Sequence, residues 1–361
     1  MRILLVEPYY AGSHKAWADG YAQHSAHDVD VITHEARFWR WRMQGSALTL
    51  AEELREIDGD FDAVIASDML DLAAFLGHTR RRLGSIPAVL YMHENQLSYP
   101  LSEALAEDLT YAAINWRSMA AADAIWFNSE FHRTDLAGNL PEFLGRFPDR
   151  RHNELAAAVL HRSSVFPVGV DLSRLSGDPI RGTRPLILWN HRWEHDKAPG
   201  VFLDALDVLV ERGLDFSVAL AGENFRQHPA EFSAARERLG DRVVRFGYAS
   251  AGEYTDLLQR SSIIVSTALH EFFGISLTEA VYAGAFPVLP DRLVYPERIP
   301  SEFHDSCLYD TNEGLVERMA WAIEHPQDAD EVARALRSTM AEFDWSKVAP
   351  SYDAAIESLR R

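Results

Sequence analysis

Short apolar runs alternate with helix-length amphipathic stretches along all 361 residues, and that rhythm restricts the chain to parallel sheets covered on both faces. A first series occupies residues 3–6, 29–32, 63–66, 88–91, 124–127 and 165–168. A second occupies 186–189, 218–221, 243–246, 263–265, 286–289 and 308–309. Two series in sequence predict an α/β protein with two doubly wound domains, each taking ligands beyond the carboxyl ends of its strands. Residues 169–185, rich in Gly, Asp, Ser, Arg and Pro, read as the linker between domains 1–168 and 186–344.

Composition narrows the functional classes. A hydrophobic content of 47% with 25% charged residues suits a soluble globular chain. The single cysteine, Cys307, excludes an internal disulfide framework or a cysteine-rich metal site and suits a reducing cytosol. Apolar runs are too short to span a membrane, and Glu7 interrupts the first before it becomes a secretory core. A net charge of −19, with neither half basic, argues against binding nucleic acid by bulk electrostatics.

The segment 266–289 is the richest in chemistry. A strand end, a loop, a helix predicted over 274–283 and a left-handed stop at Gly284 surround Glu271 and Glu279. The amides of Gly274, Ile275, Ser276 and Leu277 would open that helix, where N–H groups and the helix dipole favour a diphosphate. Phe273 adjoins them. Glu271 would face a sugar and Glu279 a ribose, although acids near helix starts often only complement the dipole. Arg192 and Lys197, after the strand 186–189, would neutralise phosphate; pairing with Glu194 or Asp196 is the alternative. Gly222, Glu223 and Tyr248 end the next two strands, a rim suited to a nucleotide base. His191 and His195 lack the companions of a metal site, so no metal is expected.

In the first half, Gly12 and Ser13 form a turn that would let backbone approach a ligand, with His14 beside it. His93, Asn95 and Gln96 follow the fourth strand in the string His-Glu-Asn-Gln. Trp39, Arg40, Trp41 and Arg42, read as a loop, alternate aromatic and cationic groups that suit stacked bases and phosphates, a lipid headgroup layer, or plain surface. Arg80 to Arg82 would extend a nucleic-acid path.

Two Rossmann-like halves, Arg192 with Lys197, and Glu271 spaced from Glu279 in Glu-Phe-Phe-Gly-Ile-Ser-Leu-Thr-Glu-Ala resemble the retaining glycosyltransferases of family 4. The resemblance implies a GT-B architecture of two Rossmann-like doubly wound domains facing a cleft. It also implies a C-terminal half that binds the nucleotide sugar, an N-terminal half that binds the acceptor, and a terminal helix, residues 345–361, returning to the N-terminal domain. Gly-Ser-His-Lys at 12–15, Trp-Arg-Trp-Arg at 39–42, the string from His93, and Trp-Asn-His-Arg-Trp-Glu-His-Asp-Lys at 189–197 resemble more closely the tRNA-queuosine mannosyltransferase family. That likeness implies GDP-mannose as donor, queuosine in tRNA(Asp) as acceptor, His93 acting on the sugar or leaving group, no obligatory cofactor and a cytoplasmic setting. A glycosyltransferase acting on a lipid, glycan or small metabolite stands beside it, as does a non-catalytic nucleotide-sugar binder.

Overall fold

The computed structural model describes residues 1–98, 108–222 and 230–360. They form two compact units, Met1–Val170 together with Trp345–Arg361, and Asp171–Asp344. In the first, β1 (Arg2–Tyr10), β2 (Asp28–Glu35), β3 (Ala63–Ser67), β4 (Ala88–Met92), β5 (Ala124–Phe127) and β6 (Ser163–Val165) pair in the order β2-β1-β3-β4-β5-β6. In the second, β7 (Leu186–Trp189), β8 (Ser217–Leu220), β9 (Val243–Phe246), β10 (Ile263–Val265), β11 (Phe286–Pro290) and β12 (Leu308–Tyr309) pair as β12-β11-β10-β7-β8-β9. Every pairing is parallel. Helices on both sheet faces bury the central strands completely, so Ile3, Leu4, Leu5 and Val6 are all 0% exposed.

Each sheet reverses its order beside its first strand. β1 lies between β2 and β3, and β7 lies between β8 and β10. The loops after β1 and β3, and those after β7 and β10, therefore diverge and leave a crevice at the carboxyl edge of each sheet.

The sequence expectations differ at two places. β6 pairs over Ser163–Val165 rather than 165–168. Two serines conceal its start, and Pro167, lacking an N–H, cannot extend the ladder. The segment 169–185, read as the linker, is packed rather than extended. Leu172 and Leu175 are buried, and Arg181 bonds Asp330 and the carbonyls of Ser261 and Gly284, so the chain folds onto the second unit from Asp171 onward.

The helix Trp345–Ser358 belongs to the first unit. Asp353 anchors it by accepting from Tyr21 Oη (2.9 Å), Ser25 Oγ (2.6 Å) and the Ala26 amide (2.8 Å). Trp345 fills the space left by two missing side chains, since a Cβ on Gly20 would lie 2.0 Å from its indole and one on Gly169 2.2 Å away. Gly20→Ala would ordinarily favour a helix by about 1 kcal/mol. Here it should instead lower stability by about 1–3 kcal/mol through overpacking. Urea unfolding measures the sign, and an unchanged or higher midpoint would show that Trp345 yields freely.

Candidate active site

In the second unit, the helix Ile275–Tyr282 begins after Gly274, whose φ of 87° is left-handed and costs glycine little. Among the described residues no side chain caps this helix, so its first-turn amides keep the capacity for an outside acceptor. Gly274 is the exception among the four expected amides. Its N–H (3.1 Å) and that of Phe273 (3.3 Å) donate to Glu271 Oε1. Phe273 itself is buried beneath the Arg298 guanidinium, 4.3 Å above its ring, so its side chain is packing rather than a ligand surface.

Lys197 departs from the expected edge position. It is buried, and its Nζ donates to the His270 carbonyl (2.6 Å) and pairs with Asp196 (3.1 Å) and Glu271 (3.5 Å). A desolvated ammonium must keep anions within reach, which is why both carboxylates converge on it. Burial disfavours its charge, but Glu271 and Asp196 outweigh that and hold the lysine above its usual range. Burial would likewise raise Glu271, yet Lys197 leads the opposing groups that leave its carboxyl at about 2. Arg192 remains exposed, 3.5 Å from Glu194.

Glu279 is 9% exposed, paired with Arg174 and accepting from Tyr254 Oη at 2.9 Å. Asn190 links Tyr254 Oη (3.0 Å) to the Ser276 carbonyl (3.2 Å), tying the end of β7 to the helix start. Gly222 is required by close approach, because a Cβ there would lie 2.0 Å from the His191 carbonyl oxygen. Tyr248 is exposed, with its carbonyl bonded to Arg245. Glu223 lies outside the described residues.

In the first unit, Gly12 and Ser13 open the helix Gly12–His24 directly after β1, again without a side-chain cap. Glu7, fully buried near the end of β1, accepts from the Tyr9 amide (2.8 Å) and binds His14 Nδ1 (2.9 Å). Burial opposes protonation of His14, but the Glu7 carboxylate raises it to about 9. The His14 ring lies 4.3 Å from that of His93, which burial and then the neighbouring His14 keep neutral. The His93 amide donates to Asp68 Oδ1 (2.9 Å), just past the end of β3. Burial, with Glu94 and Glu7 adding to it against His14, pushes the Asp68 carboxyl up to about 8.

Asn95 and Gln96 are mostly spent on holding this loop. Asn95 is 0% exposed and accepts from the Leu97 and Ser98 amides, while Gln96 Nε2 donates to Glu94 (3.1 Å). Trp39 to Arg42 are helical rather than a loop, opening Trp39–Glu53 behind a left-handed Phe38 (φ 53°). Trp39 packs on Tyr111 at 4.9 Å and Arg42 donates to the Glu35 carbonyl, whereas Arg40 is exposed, as are Phe38 (78%) and Trp41 (63%).

Residues 2–170 match the family described as tRNA-queuosine alpha-mannosyltransferase N-terminal, and residues 176–339 match glycosyl transferases group 1. A Drosophila melanogaster protein named tRNA-queuosine alpha-mannosyltransferase is 35% identical over 328 residues, covering 88% of this chain and 85% of its own. The chain belongs to the tRNA-queuosine alpha-mannosyltransferase family. It is a glycosyltransferase. A Xanthomonas campestris GDP-mannose:cellobiosyl-diphosphopolyprenol alpha-mannosyltransferase is 26% identical, covering 53% of this chain and 51% of its own. Among solved structures, sucrose-phosphate synthase from Thermosynechococcus elongatus superposes with a TM-score of 0.76 at 14% identity over 99% of both chains. Anabaena Alr3699/HepE in complex with UDP-glucose gives 0.71 at 14%, over 99% of this chain and 100% of that one. These likenesses establish the GT-B fold for this member of the tRNA-queuosine alpha-mannosyltransferase family.

Several site residues escape a reading of the sequence. Arg174 and Tyr254 meet Glu279 only through long-range folding, and Asp68 and Glu7 resemble ordinary strand-end acids. The signal available for Glu7 was an acid interrupting an apolar run, and for Asp68 a carboxylate directly after a buried strand.

His191 is buried beside Lys197 and lowered by burial from 6.5 to about 4. Between those values the unfolded chain binds a proton that the folded chain refuses, so stability falls as pH drops from about 6.5 toward 4. His191→Gln should remove up to about 3 kcal/mol of that dependence. The check is the difference in urea-unfolding free energy between neutral and mildly acid pH for both proteins; parallel curves would place the imidazole in water.

Proposed function

We propose that the chain transfers mannose from GDP-mannose to the cyclopentenediol of queuosine in tRNA(Asp), retaining the α configuration, in the cytoplasm. The observation that carries this reading is the uncapped start of Ile275–Tyr282, flanked by Arg192 and by the Lys197–Glu271 pair. The amides of Ile275, Ser276 and Leu277 with Arg192 take the diphosphate. Lys197 acts through Glu271, fixing its carboxylate toward the sugar. Glu279, braced by Arg174 and Tyr254, faces the ribose, and the rim at Gly222 and Tyr248 takes the base.

As the bond from the mannose anomeric carbon to the phosphate oxygen breaks, negative charge grows on the diphosphate. Preorganised amides and a guanidinium stabilise it without reorganising. The acceptor hydroxyl oxygen bonds to the same anomeric carbon, and its proton passes to the departing phosphate oxygen. His93 and His14 are the acceptor-side groups. Exposed Phe38 and Trp41, with Arg40, supply stacking and phosphate contact for RNA.

Incubation with GDP-mannose and queuosine-containing tRNA should add one hexose to that nucleoside, read by mass spectrometry. Transfer to a lipid-linked saccharide with none to tRNA would replace the acceptor. Trp41→Ala should weaken tRNA binding by about 1–3 kcal/mol. GDP affinity measured by calorimetry should stay constant, and unchanged tRNA binding would make Trp41 plain surface.

A further inference from the structure

A small apolar cluster sits at the carboxyl edge of the first sheet, apart from the main core of that unit. Met43, Met69, Tyr111 and Ile114 are its buried members. They come from the helix Trp39–Glu53, the turn after β3 and the helix Thr110–Ala121, so they gather beside the point where strand order reverses. Tyr9, near the end of β1, and Trp39, at the start of its helix, pack against them and stay half-buried. A satellite cluster under loops is ordinary packing in itself. This one differs in its border. The Tyr9 ring lies 6.1 Å from that of His14, which lies 4.3 Å from that of His93. An apolar floor, partly open aromatic rings and a few polar groups to one side are the composition of a small-molecule site.

We propose that Tyr9 and Trp39 seat the nucleobase of the acceptor, stacking on its flat face while His14 and His93 meet its hydroxyls. The proposal rests on the acceptor reading above, which it narrows from an RNA surface to the one base that carries the reacting group. Aromatic rings suit this task because every base presents a π-face, and Tyr and Trp lose little freedom when fixed. Met43 and Met69 beneath them are flexible and polarisable, so the floor can follow the outline of a modified base. A prenyl chain is the competing occupant, since it too would lie on an apolar floor. It has no π-face, so it would not distinguish Tyr9 from leucine.

The test is equilibrium binding by the full chain of queuosine-containing tRNA and of the same tRNA made abasic at that position. Tyr9→Leu should weaken binding of the first by about ten-fold or more, and Tyr9→Phe by less than about two-fold. With the abasic tRNA, Tyr9→Leu should bind as the wild type does, because the partner of the ring is gone. Trp39→Leu and Trp39→Phe should repeat the pattern, with circular dichroism checking the fold because Trp39 also packs on Tyr111; Tyr9, at the border, carries the test if they do not fold. An equal loss with both tRNAs, or a Tyr9→Leu variant that binds the queuosine tRNA like the wild type, overturns the proposal and leaves the acceptor reading standing. Failure of the wild type to bind either tRNA sinks the acceptor reading with it.

Discussion

Parallel pairing is the constraint from which the rest of this structure follows. Parallel strands cannot be joined by a tight turn, so every strand hands on to a crossover and all strands of a sheet end at one edge. Where the order reverses, beside β1 in one unit and β7 in the other, adjacent loops lead away from each other. Polar side chains placed there are enclosed by the sheet below and the helices beside them, yet have no ladder to join. They must satisfy one another. Glu7 with His14, and Lys197 with Asp196 and Glu271, are the two results.

The two clusters differ in what stands beside them. In the second unit an ammonium is over-provided with oxygen, and the neighbouring helix start contributes amides that no side chain caps. On the reading proposed above, those amides with Arg192 receive the diphosphate. In the first unit Glu7 binds His14, and burial pushes the neighbouring Asp68 carboxyl up to about 8.

Most of the fold was legible because buried parallel strands are short, continuous apolar runs. Ala124–Phe127, Leu186–Trp189, Val243–Phe246 and Ile263–Val265 carry the boundaries that apolar runs alone imply. Ser163–Val165 did not, since an edge strand has one open side and tolerates serine. The site was legible where a polar residue directly follows a strand, and less so where its meaning depends on burial. Lys197 reads as a phosphate contact until its enclosure is known; inside the fold the two pairings held in reserve, Arg192 with Glu194 and Lys197 with Asp196, both occur. Arg174 was hidden more deeply, within a segment whose composition is that of a linker and 105 residues from Glu279.

The net charge of −19 sits uneasily with an RNA acceptor only if binding is taken to follow the sum. Affinity from phosphate neutralisation grows with the number of contacts and is indifferent to sequence. An acidic chain forgoes that term over most of its surface, and so suppresses attachment to the many RNAs that are not substrates. What remains must come from groups that recognise bases and their modifications. Stacking on Phe38 and Trp41, the contact proposed above, does not depend on net charge. On the reading proposed above, the acidity leaves a polyanion few ways to bind other than through its bases.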